Sequence, residues 1–148
     1  MQKKFRFLSN AVTSDIAFEV FAGNESSLFE NAGLALEAVM TDLRKVKGVQ
    51  VYKINLVGES LDELLYSFLE ELVFLKDSKK MLFRKIKCRV EKSKNKKGKW
   101  KVSGSLFGER MDPKRHELKL DVKAVTKYLF KVEKLSKESF RSFIVLDV

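Results

Sequence analysis

The chain has 148 residues, with 30 Lys and Arg against 20 Asp and Glu, a formal charge of +10 and a pI near 9.7. That length lets one domain bury a core unaided, and 45% hydrophobic residues, 12 Phe among them, exclude an intrinsically disordered chain. A single Cys excludes an intrachain disulfide and multi-cysteine metal sets, and no apolar run approaches the roughly 18 residues of a membrane span.

The start, Met-Gln-Lys-Lys-Phe-Arg-Phe-Leu-Ser-Asn, is positive like a signal peptide, but polar residues interrupt it before an apolar stretch develops, so the reading is cytoplasmic with no membrane partner. Residues 5–9 and 16–22 read as strands; in the second, Ile16, Phe18, Val20 and Ala22 alternate with Ala17, Glu19 and Phe21. Gly23-Asn24 ends it. Ser27 with Glu30 then forms a capping box, and Leu28, Ala32, Ala35, Leu36, Val39, Met40 and Leu43 mark an amphipathic helix to about residue 44. Residues 49–57 read as a strand. Ser60 with Glu63 caps a second helix carried by Leu61, Leu64, Leu65, Phe68, Leu69 and Leu72.

After a polar break at residues 77–80, Leu82, Ile86, Cys88 and Val90 share one side of a strand, and Trp100, Val102 and Leu106 do so on its partner. The intervening Lys-rich segment ends in turn chemistry at residues 95–98, as for an antiparallel hairpin. Residues 122–133 and 140–147 add two strands. The expectation is one compact α+β domain over residues 1–148, a mostly antiparallel β-sheet with two amphipathic helices.

Catalytic patterns are missing: there is no Walker loop, Gly-x-Ser-x-Gly, His-Glu-x-x-His or Cys-x-x-Cys. That argues against a self-sufficient enzyme. His116 reads as a structural or partner-contact residue, Cys88 as a small buried hydrophobe, and Trp100 as a core residue. The lysines around Asn95 read equally as phosphate contacts or as a solvated hairpin tip. The positive charge favours polyanions or an acidic partner, although Lys- and Glu-rich surfaces also form ion-pair networks.

Asp15 opens an early strand and Asp147 closes the last one. If those strands lie antiparallel side by side, the two carboxylates meet. Oxygen donors of that kind suit calcium, manganese or magnesium, and the carbonyl or terminal carboxylate of Val148 could complete an open site with waters. The competing reading is two ordinary strand-end aspartates.

The run from Gly108 to Thr126, with Gly108-Glu109, His116-Glu117 and Val122-Lys123-Ala124-Val125-Thr126, resembles the signature of the archease family. Further similarities follow in order: Thr13-Ser14-Asp15-Ile16, the two helices, and the ending Leu146-Asp147-Val148. The resemblance implies a protein cofactor of the GTP- and manganese-dependent RNA-splicing ligase, which joins RNA 2′,3′-cyclic-phosphate or 3′-phosphate ends to 5′-hydroxyl ends in tRNA splicing. It further implies metal binding by Asp15 and Asp147 with Val148 nearby, promotion of ligase guanylylation and turnover, and no catalysis by this chain itself. His116 and Lys123 are candidates for contact with a partner or a phosphate. The sequence departs from the family at Val12, Lys127 and Tyr128, where histidines or Tyr-His are common, and at Phe140, where Trp is common. The alternative is a basic RNA-binding or chaperone-like module built on the Lys-rich hairpin and Trp100. A metal-dependent hydrolase lacks a base and a cleft.

Overall fold

The computed structural model describes residues 4–8, 15–95 and 99–148. Its elements in chain order are β1 (Phe5–Leu8), β2 (Asp15–Ala22), α1 (Glu25–Met40), β3 (Gln50–Gly58), α2 (Leu61–Lys79), β4 (Met81–Lys92), β5 (Trp100–Arg110), β6 (Ala124–Val125), β7 (Lys131–Ser136) and β8 (Ser139–Asp147). A short 3-10 turn, Leu43–Lys45, follows α1. All strand pairings are antiparallel, as expected, but they form two sheets rather than one: β1-β2-β8-β6 with β7 also on β8, and β3-β5-β4. Both helices touch strands of both sheets, which encloses a core containing Phe18, Phe29, Phe68 and Phe83. The fold is a single compact α+β domain.

Three boundaries differ from the sequence reading. Asn24 rather than Ser27 caps α1: its side chain accepts from the Ser27 backbone N–H at 2.8 Å, so the helix starts one turn earlier. The helix ends at Met40 because Thr41 turns extended, bridges to Leu118 and donates its hydroxyl to the Glu117 carbonyl at 2.7 Å. The strand expected over residues 122–133 is two strands, β6 and β7, which pair with successive stretches of β8. Between them the chain turns at Leu129, whose φ of 51° is left-handed, and Phe130 packs edge-on against Tyr66 of α2 at 5.4 Å. The expected cap at Ser60 is present, accepting from Glu63 at 3.2 Å. Ser9 and the hairpin turn at residues 96–98 lie outside the described residues.

Early placement of the α1 cap frees Glu30 for another task. β4 lies at one end of its sheet, and three of its edge N–H groups donate to α1 side chains: Phe83 to Glu37 at 3.0 Å, Cys88 to Glu30 at 2.8 Å and Val90 to Ser26 at 2.9 Å. Ser26, Glu30, Gly33 and Glu37 share one helical face, and Gly33 lets it approach, since a Cβ there would stand 2.5 Å from Ile86 Cδ1. The helix thus occupies the place of a further strand.

Candidate metal centre

β2 and β8 pair along their whole length, and Asp15 lies directly opposite Asp147 at the end of the ladder. Residues so opposed send their side chains to the same face, with Cβ atoms about 5 Å apart, and like charges there repel. Both aspartates are half-buried, and among the described residues neither carboxylate has a cationic or hydrogen-bond partner. Two oxygen-bearing acids held together without a protein counter-charge fit a hard divalent cation. The same residues contain no cluster of three His, Cys, Asp or Glu, so the pair offers at most part of a coordination shell. The Val148 side chain packs against the core, which fixes the backbone beyond Asp147.

The run from Gly108 to Thr126 explains how that end of β8 is held. Gly108 is required by close approach: a Cβ there would stand 1.8 Å from the Leu82 carbonyl oxygen of β4. Glu109, almost buried, accepts from the Lys47 backbone N–H at 2.6 Å and from the Arg115 guanidinium at 2.9 Å. The His116 ring is buried; Nδ1 accepts from the Asp112 N–H at 2.8 Å, so Nε2 bears the proton and donates to Glu109 at 2.9 Å. Arg115, then the Lys47 and His116 hydrogen bonds, holds the Glu109 carboxyl down at about 2. With both nitrogens engaged, His116 is a structural post within the turn and does not present itself to a partner or phosphate.

From that turn the chain passes the end of α1, where Lys119 and Leu120 donate to the carbonyls of Met40 and Val39 at 2.8 and 3.2 Å. It then reaches α2. There buried Lys76 donates to the Val122 carbonyl at 2.8 Å and pairs with Asp121 and Asp77 at 2.5 Å. Burial opposes the Lys76 charge, but the two aspartates outweigh it and its pKa is raised. The strap ends by donating the Lys123 N–H to the Asp147 carbonyl at 2.8 Å, and Ala124 pairs with Asp147. Thr126 adds backbone and hydroxyl bonds to the Val145 carbonyl, each 3.0 Å. Lys123 itself is exposed, one backbone hydrogen bond from Asp147.

The sequence reading set Asp15 against Asp147 with Val148 alongside if their strands were neighbours, and β2 and β8 are; Lys123, read only as a possible contact, bonds through its backbone to Asp147 at the same sheet end. It missed Glu37, fully buried, whose Oε1 accepts from Phe83 while Oε2 has no partner among the described residues. The four-, three- and four-residue steps of Ser26, Glu30, Gly33 and Glu37 were the available signal. Cys88 is half-buried; burial and then Glu30 push its thiol up to about 12. Trp100 packs partly buried on the core side, with the Lys92 ammonium 5.7 Å from its ring centre. Residues 12–14 of the early motif lie outside the described residues.

The two-sheet α+β domain that carries this acidic pair and strap defines a fold class with known members. The model of the Archease protein family matches residues 5–148. Protein archease of Pyrococcus furiosus is 36% identical over 136 residues, covering 92% of this chain and 94% of its own. Protein archease of Sulfurisphaera tokodaii is 34% identical over 143 residues, covering 97% and 98%. The solution structure of Methanobacterium thermoautotrophicum protein 1598 superposes with a TM-score of 0.81 at 28% identity, covering 99% of this chain and 100% of that one. The chain belongs to the archease family. Among the described residues no helix is long and apolar enough to cross a membrane.

Proposed function

We propose that this protein is a non-catalytic activator of the GTP- and manganese-dependent RNA-splicing ligase, acting in the cytoplasm during tRNA splicing. The observation that carries the reading is the half-buried pair Asp15 and Asp147, directly opposed and, among the described residues, without a protein counter-charge. Asp15 and Asp147, with the backbone at Val148, would hold a divalent cation: calcium, manganese or magnesium. Bound there, the ion supplies positive charge at an edge where a partner can complete its shell, and phosphate oxygens are suitable ligands. Family membership supports the choice of partner, and on this reading the ligase carries out its own guanylylation and strand joining. The residues of this chain position: β2 and β8 fix the carboxylates, the strap fixes the end of β8, and Lys123, at the same sheet end, is a contact for ligase or phosphate.

The test is multiple-turnover RNA ligation by the cognate ligase with GTP and manganese, adding the wild type or its Asp15→Ala and Asp147→Ala variants, each checked for folding. The expected result is stimulation by the wild type and its loss in both variants. Stimulation that survives both changes would remove the carboxylates from the mechanism, and no stimulation by the wild type would remove the ligase.

A further inference from the structure

The three-stranded sheet turns one face to the core and the other to solvent, and the outer face is basic. Reading across β3, β5 and β4, its rows are Val51, Phe107 and Lys85; Lys53, Ser105 and Lys87; Asn55, Ser103 and Arg89; and Val57, Lys101 and Glu91. Lys53, Lys85, Lys87 and Arg89 are all exposed. A β-bulge strengthens the face: the register shifts between Phe83 and Lys85, so Arg84 and Lys85 are both exposed and both stand against Phe107 before Ile86 returns to the core. Among the described residues the only carboxylate within ion-pair distance of these cations is Glu91, at 3.6 Å from Arg89 and 4.0 Å from Lys101.

The order of these charges matters as much as their number. Lys85, Lys87 and Arg89 recur at two-residue steps along one strand, a straight row of cations about 7 Å apart. Across the central strand β3 adds a single cation, Lys53, which donates to the Ser105 hydroxyl at 2.8 Å. Ser103 and Ser105 place hydroxyls beside the row. The one aromatic ring on the face, Phe107, has the Lys85 ammonium 5.5 Å from its centre. A straight row of cations flanked by hydroxyls and a further lysine complements a flexible strand carrying one negative charge on every residue. An acidic protein surface scatters its carboxylates, and a base-reading platform would need more exposed rings.

We infer that the outer face of the β3-β5-β4 sheet binds the phosphate backbone of single-stranded RNA, without sequence preference and independently of Asp15 and Asp147. It relocates the basic contact from the hairpin tip to the sheet. Trp100, on the opposite side, takes no part.

The test is fluorescence anisotropy of a labelled single-stranded 20-mer RNA, titrated with the full chain in EDTA at several salt concentrations. The face variant is Lys85→Ser, Lys87→Ser, Arg89→Ser. A control variant, Lys114→Ser, Lys119→Ser, Lys137→Ser, removes the same charge from exposed positions elsewhere, and circular dichroism checks both folds. The wild type should bind with an affinity that falls steeply with salt. The face variant should bind at least tenfold more weakly, with its log–log salt slope reduced by about 2, because each phosphate neutralised on a single strand accounts for roughly 0.7. The control should bind no more than about twofold more weakly, as expected when only long-range attraction is reduced. Equal weakening in both variants would reduce the effect to net charge, and unchanged binding by the face variant would overturn the site. Polyglutamate binding as tightly as RNA at the same ionic strength, and failing to bind the same variant, would overturn RNA in favour of an acidic protein partner. EDTA and an Asp15→Ala control separate these outcomes from failure of the metal reading.

Discussion

The buried carboxyl of Glu37 makes the stability of this protein depend on pH in an unusual direction. Glu37 is fully buried, and burial pushes its pKa from the ordinary 4.5 up to about 8, against weaker opposing effects of the Phe83 hydrogen bond and Lys76. Between those two values the folded chain keeps a proton that the unfolded chain has released. Stability from this group is therefore complete below the ordinary value and falls as pH rises towards the folded value, by about 1.4 kcal/mol per unit. From about pH 5 to about pH 8 the loss is on the order of 4 kcal/mol, a large share of a domain's roughly 5–15 kcal/mol. Glu37→Gln keeps a carbonyl to accept from Phe83 but cannot ionise. Urea unfolding of both proteins across this range should show the Gln variant gaining on the wild type by about 1.4 kcal/mol per unit, since other titrating groups cancel in the difference. Parallel stability curves would refute a protonated Glu37.

Gly108→Ala should cost about 3 kcal/mol or more, because the new Cβ meets a carbonyl rather than a movable side chain; a variant that unfolds in urea with the wild type would refute the close approach. Cys88 should resist iodoacetamide at about pH 8 until the protein is denatured, since the thiolate is the reactive form; native labelling at the rate of a free cysteine would contradict its burial. In a chelator, Asp147→Asn should stabilise the protein by about 0.2–1 kcal/mol through relief of like-charge repulsion. Added calcium or manganese should then raise the melting temperature of the wild type alone, and an equal rise in the variant would place the ion elsewhere.

The legible parts of this fold were those written as repeats. Alternation marked β2, β4 and β5, and the three-and-four spacing marked both helices, because each pattern follows from which side of an element is buried. Strand ends followed from the same logic, but which strands are neighbours did not: the meeting of Asp15 and Asp147 was conditional on an antiparallel β2-β8 pair, which the structure contains. The failures came where one signal had two solutions. Asn24 and Ser27 are both good caps, and the one further upstream wins because α1 then turns Ser26 and Glu30 towards β4. Residues 122–133 look like one strand, and no Gly or Pro announces the left-handed turn at Leu129. Glu37 was missed for a different reason: its spacing with Ser26, Glu30 and Gly33 marks a shared helical face, but its partner is a backbone N–H beside a bulge, which that spacing does not identify.

The replacement of a neighbouring strand by α1 has a consequence for how the chain reaches this state. α1 is complete by Met40, whereas β4 begins only at Met81, so the polar bonds between them close a long stretch of intervening chain. The β4-β5 hairpin is a local structure by comparison and can form before that closure. In the interval β4 carries a flank of unsatisfied amide donors beside an apolar side, the arrangement that recruits a strand from another molecule. Ser26, Glu30 and Glu37 therefore guard against self-association during synthesis as well as bonding the finished domain. Ser26→Ala and Glu30→Ala, which leave no acceptor for the Val90 and Cys88 N–H groups, would first appear as insoluble protein.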